Sequence, residues 1–227
     1  MASAACFSTM LFMSSCSKED VAMPSPEANV LAKDGSNLKI SSLEIVPPTT
    51  GQLGLGSLPT GYTDGKAYNG LSLFGLSNSR YLFGNTSTPW LPANNAAPKG
   101  AGTFLTLGAK KDKATAITIN VKNLGLYKRY KFTYYVSTLA IKNSSGLGHT
   151  PYAFALELSS HYLEIGPYHF GDFTGKENQW LEKNVEFRSS KSASETTAEF
   201  KLWLYGNSNA TSYGNIFIPK EAVQEID

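Results

Sequence analysis

Cysteine is almost absent from this chain. Cys6 and Cys16 both lie within the first sixteen of 227 residues. The body therefore has no disulfide to staple it, no thiolate metal site and no cysteine nucleophile. Histidine is nearly as scarce, with His149, His161 and His169 a poor supply for zinc chemistry. Charged residues make up 17%, and Lys+Arg exceeds Asp+Glu by only 20 to 18. With no long cationic stripe, nucleic acid is not an expected partner, because it requires a clustered basic face. No Gly-x-Ser-x-Gly elbow occurs, and no glycine-rich phosphate loop opens a helix. Ser57 in LGLGSLP runs straight into Leu58. No segment stays apolar for the roughly 20 residues that cross a bilayer, and no helix longer than two turns is expected. Neither a cofactor nor a metal is implied.

What the chain does have is alternation. Apolar residues reach 41%, enough for a folded globule, and they recur at every second position between turn residues. RYKFTYYVSTL (129–139) sets Tyr130, Phe132, Tyr134 and Val136 on one face, with Lys131, Thr133 and Tyr135 opposite. AITINV (116–121) aligns Ile117, Ile119 and Val121, and TFLTLG (103–108) aligns Thr103, Leu105 and Leu107. YAFALELSS (152–160) sets Phe154, Leu156 and Leu158 against Glu157, and KNVEFRSS (183–190) turns Val185 and Phe187 inward. AEFKLWLYGN (198–207) buries Phe200, Leu202 and Leu204 and points Lys201, Trp203 and Tyr205 away.

NLKISSLEIV (37–46) reads as a first strand stopped by Pro47-Pro48. Short strands are expected at 71–75 and 80–83 within a glycine-punctuated stretch, 49–100. NIFIPKEAVQEID closes the chain as one or two edge strands, with Pro219 breaking the ladder. One wet face per strand predicts antiparallel sheets. Two such sheets stacked predict an all-β sandwich, a single domain over 38–227.

The first forty residues are different. ASAACFSTMLFMSS (2–15) is small or apolar and too short to span a bilayer, which is the pattern of a signal-peptide core. Met13-Ser14-Ser15-Cys16 resembles the lipobox of bacterial lipoproteins, in which the chain is cut before the cysteine and the thiol is lipidated. Ser17-Lys18-Glu19-Asp20 resembles the charged stretch that follows that cysteine in surface-exported lipoproteins of the Bacteroides–Flavobacterium group. The resemblance implies a signal peptide over 1–16, lipidation at Cys16 and placement at the outer-membrane surface of a bacterial envelope. Residues 17–37, rich in Pro, Ser, Ala and charge, read as a disordered tether.

In the body, GTFLTLG, TAITINVKNLGLYKRYKFTYYVS, YAFALELSS, NQWLEKNVEFRSSK, AEFKLWLYGN and GNIFIPKEAVQEI follow one another. The succession resembles the galactose-binding-domain-like jelly roll, a carbohydrate-binding-module-like β-sandwich, over residues 100–226. Gly125-Leu126-Tyr127 with Tyr130-Lys131-Phe132, and Trp180, stand where that group has its Gly-x-Tyr step and a Trp. The closing Gly214-Asn215-Ile216-Phe217-Ile218 lacks the group's acidic pair, so no calcium site is carried over. Members bind glycans or serve as accessory modules of larger surface proteins.

Candidate site residues follow from strand parity. Tyr135, Trp203 and Tyr205 are rings on outward positions, where apolar surface calls for something to cover it. Sugar rings stack their C–H faces on aromatic faces, and Glu157 and Lys201 share the outward parity and could bond hydroxyls. These five form the expected ligand-binding set for a glycan or glycoprotein, unless 49–100 folds over the rings. A protein–protein contact in an envelope complex is the alternative. A glycoside hydrolase using Glu157, Glu186 or Glu199 comes third. His161, Glu164, His169 and Asp172 are read as hairpin polar residues, and Trp90 as a core cap. The lipid expectation has a direct test. Labelled palmitate should enter the full-length protein in a lipoprotein-processing host, and Cys16→Ser should abolish both the label and membrane partitioning.

Overall fold

The structure is a computed structural model that describes residues 49–65, 69, 71–91, 98, 102–143, 146–147, 153–158, 164–165, 169–173, 175–189, 198–206 and 209–226. The expectations for 1–16, 17–37, Cys16 and the strand at 37–46 lie outside those residues. Sixteen strands are described: β1 (Gly54–Leu55), β2 (Tyr62–Asp64), β3 (Phe74–Asn78), β4 (Trp90–Leu91), β5 (Thr103–Ala109), β6 (Thr115–Val121), β7 (Arg129–Thr138), β8 (Ala140–Asn143), β9 (Gly146–Leu147), β10 (Ala153–Leu158), β11 (Glu164–Ile165), β12 (His169–Asp172), β13 (Leu181–Arg188), β14 (Ala198–Tyr205), β15 (Ser212–Phe217) and β16 (Val223–Ile226).

Every pairing between these strands is antiparallel. Besides a three-stranded sheet, β4-β8-β9, there are two larger ones: one runs β1-β3-β5-β15-β7-β13-β11, with β16 also on β7, and the other runs β12-β10-β14-β6-β2. From β5 onward the chain crosses repeatedly between them: β5, β7, β13 and β15 in the first, β6, β10 and β14 in the second. This is the all-β, two-sheet jelly-roll sandwich that alternation and the family resemblance lead one to expect.

Parity decides what goes inside. The inward residues of β7 (Tyr130, Phe132, Tyr134, Val136), β13 (Val185, Phe187), β6 (Ile117, Ile119, Val121) and β14 (Phe200, Leu202, Leu204) meet in one buried cluster. Ring packing ties the sheets together. Phe132 of β7 lies 4.7 Å from Phe200 of β14, and Phe187 meets Phe200 edge-on at 5.3 Å. Such contacts add to the burial of each ring.

Three local expectations are corrected. β3 spans 74–78 rather than 71–75, and Leu82–Gly84 is a 3-10 turn rather than a strand. β15 is not an edge, because it sits between β5 and β7. Pro219 does break the ladder: β15 pairs with β7 at Tyr135–Thr138, and β16 resumes on β7 at Arg129–Phe132. Alternation left this run open as one strand or two, and did not show that both halves line the same neighbour.

Buried phenols make stability depend on alkaline pH. Burial pushes the hydroxyls of Tyr62 and Tyr134 above the usual value of 10.0. The folded values are raised, so this stabilisation is complete below pH 10 and lost as pH climbs past it, where the unfolded chain sheds protons that the folded chain keeps. The urea midpoint should therefore fall between about pH 9 and about pH 11. Tyr134→Phe should lose less over that interval, as read by tryptophan fluorescence.

Candidate functional site

The outward face of the five-stranded sheet carries three of the five expected residues in one line along β14. Lys201, Trp203 and Tyr205 succeed one another at every second position, and β14 lies between β6 and β10. Trp203 is in register with Ala116 on one side and Ala155 on the other. Tyr205 is in register with Ala153. Alanines in these flanking positions put no large side chain beside the rings. The indole and phenol are nearly parallel, at 20°, with centroids 6.5 Å apart. That spacing is the two-residue repeat of a strand. Tyr205 is 38% exposed and Trp203 is half-buried.

Lys201 extends the line. Its ammonium lies 3.8 Å from the Glu199 carboxylate, both partly exposed. Its register neighbours are Thr118 and Glu157. Glu157 thus joins the same row by backbone position, while its side chain lies outside the described ones. The ledge consequently offers ring faces and, one step along, a cation beside the buried Thr118.

Tyr135 does not join it. It stands on β7 in the other sheet, on the outward face, across a sandwich whose sheets pack about 10 Å apart. One small ligand cannot lie on both outer faces, so the five-residue set divides. On Tyr135's side, the segment carrying Leu82 and Trp90 folds over the sheet and forms a second apolar cluster with Phe104, Leu139, Ile141 and Phe217. Phe83, Tyr135, Trp180 and Tyr213 pack against it. Part of 49–100 does cover an aromatic face, but it is this one.

Tyr135 donates a hydrogen bond to Glu182 Oε2 at 3.0 Å, Asn184 Nδ2 donates to Glu182 Oε1 at 3.1 Å, and Thr133 Oγ1 donates to Asn184 Oδ1 at 2.6 Å. Desolvation first, then the Glu182 hydrogen bond and charge, raise the Tyr135 phenol above its usual value. Sequence reasoning missed Glu182 and Asn184 here. Their signal was the polar parity of β13, legible only once its register with β7 is known.

The remaining expectations divide as well. Trp90 is fully buried and its Nε1 donates to the Asn78 carbonyl at 2.8 Å, which makes it a cap of the second cluster. Glu186, on the eight-stranded sheet, pairs with Arg129 at 3.0 Å, while Glu199 lies on the other sheet. These two carboxylates do not converge across a cleft. Glu164 belongs to β11 in one sheet, and His169 and Asp172 to β12 in the other. Their side chains, and His161, lie outside the described ones.

No protein-family model matches this sequence, and no curated protein matches it. Among solved structures the chain is similar to a cyclase from Fischerella sp. TAU, at 10% identity over 74% of this chain and 87% of the cyclase, with a TM-score of 0.46. It is similar to a carbohydrate-binding module in complex with β-1,4-galactotriose, at 13% identity over 70% and 89% of the two chains, with a TM-score of 0.38. A family 16 carbohydrate-binding module is similar at 19% identity over 62% and 85%, with a TM-score of 0.34. These likenesses are distant.

The contrast between open and covered rings is measurable. Tyr205→Ala should change unfolding free energy by no more than about 0.5 kcal/mol, as for an ordinary surface site. Trp90→Ala, which empties a fully buried site, should cost about 3–5 kcal/mol in urea titration.

Proposed function

We propose that this β-sandwich is a non-catalytic binding module that holds a glycan on the outer face of its five-stranded sheet, displayed on a bacterial surface by a lipid on Cys16. The observation that carries the binding reading is the near-parallel Trp203–Tyr205 pair on that outer face. Aromatic faces bind sugar C–H faces by dispersion and exclusion of water, and they need little rearrangement when already held rigid. β14 supplies that rigidity, since it is hydrogen-bonded on both sides by β6 and β10. Lys201, and Glu157 by its place in the row, supply polar groups for hydroxyls. The location follows from the lipobox-like Met13–Cys16 and the charged residues after it, and it agrees with a module whose business is capture at a surface.

A second reading has its own support. Leu126 and Tyr127, 41% and 52% exposed, form an apolar loop tip that fits contact with another envelope protein. The two readings separate on one experiment. On a glycan array the protein should bind, and Trp203→Ala should reduce retention at least tenfold, the scale of one stacking contact. Tyr135→Phe should leave it unchanged. An array without a single retained glycan, together with a partner that Leu126→Ser releases, would favour the protein contact instead.

A further inference from the structure

The turn between β5 and β6 reads Lys110-Lys111-Asp112-Lys113, three cations and one anion in four residues. It closes tightly, with Lys110 and Lys113 bonding each other's backbones at 3.0 and 3.1 Å, and Asp112 in the left-handed region at φ 61°. Asn69 Nδ2 donates to the Asp112 carbonyl at 2.7 Å and holds the turn from outside. The turn also rests against the end of β14. Lys111 bridges to Gly206, and a Cβ at Gly206 would fall 2.8–2.9 Å from the backbone of Lys110. Only glycine permits that approach. Gly206 directly follows Tyr205, so the turn is pinned at the phenol end of the aromatic ledge. Lys111 and Lys113 are exposed.

Resting on the glycan reading of this ledge, we infer that its ligand class is an anionic glycan, one carrying carboxylate or sulfate groups. Its ring stacks on Trp203 and Tyr205 while its acid group meets the Lys111–Lys113 turn. Asp112 sits within the turn, which keeps a net charge of +2 from three lysines and one acid. Asp64 stands on β2 beside β6, where it accepts a hydrogen bond from Ser72. The other acids near the ledge lie elsewhere. Glu199 accompanies Lys201 at the other end of the line. Glu157 and, beyond Ala153, Asp172 occupy the β10 and β12 side, while the turn approaches from the β6 side. The charge along the ledge is therefore polarised, and an acidic sugar has one favourable direction. A neutral glycan has no use for three lysines at this point, and a plain polyanion has no use for the rings.

Binding should be measured with the full chain by calorimetry, using heparin as the sulfated probe, polygalacturonate as the carboxylated probe and a neutral galactan as the reference. Either acidic glycan should bind more tightly than the neutral one, and raising salt from about 0.05 to about 0.5 M should weaken it as screening shortens the reach of the lysines. Lys111→Gln with Lys113→Gln should cut affinity for the acidic glycan by roughly tenfold, two exposed charge contacts, and leave the neutral one unaffected. These exposed substitutions leave the core intact, which circular dichroism checks. Unchanged acidic-glycan affinity in the double variant overturns the inference while the ledge stands. Equal affinity of the unsubstituted chain for acidic and neutral glycans does the same. Equal, Trp203-independent uptake of polyphosphate also overturns it, as charge capture alone. An absence of binding to all three glycans overturns the glycan reading itself.

Discussion

The contact between Phe132 and Phe200 joins an interior strand of one sheet to the central strand of the other at 4.7 Å. Much of the molecule hangs on it. With Phe132 inside, Tyr130 and Tyr134 are inside and Thr133 and Tyr135 are out. With Phe200 inside, Leu202 and Leu204 are inside and Lys201, Trp203 and Tyr205 are out. A slip of one residue on either strand would exchange the faces and bring a lysine into the interior, at a desolvation cost no single contact could offset. The aromatic packing therefore sets both the core and the display of the outer rings.

The two outer faces then meet different fates. Over the eight-stranded sheet, the segment from Asn78 to Leu91 lays down a lid of Leu82, Phe83 and Trp90. Beneath that lid, buried hydroxyl and amide groups satisfy one another: Thr106 donates to Ser77 or Asn215 at 2.7 Å in each case, and Asn215 donates to Ser137 at 3.3 Å. Such pairing makes a covered face tolerable, although Trp180 Nε1 against the same cluster is buried without a partner. The five-stranded sheet keeps Trp203 half-buried and Tyr205 exposed. The asymmetry is what leaves the Trp203–Tyr205 ledge without such a lid among the described residues.

Several features were legible without coordinates because they depend only on neighbours along the chain. Period-two alternation located β6, β7, β13 and β14, and it assigned the inward face of each correctly. Trp203 and Tyr205 were found by the same rule, since residues two apart on a strand must share a face. Tyr135 was found too, but grouped wrongly, because parity gives a face and not the sheet to which that face belongs. Glu182 was passed over for the mirror-image reason. Its place beside Tyr135 is a property of strand pairing, and its own segment offers no hint of it.

Composition and periodicity by themselves determined that this chain is all-β, that its body builds its core without cysteine, and which side chains of each strand point inward. Those are consequences of local geometry and of the free energy of removing apolar area from water. Only the tertiary structure decided which strands lie side by side, that β15 is central, that the lid falls on Tyr135's sheet and that Gly206 brings a lysine-rich turn to Tyr205. Each of these is a contact between residues far apart in sequence, and a long-range contact is chosen by the packing of the whole against its alternatives.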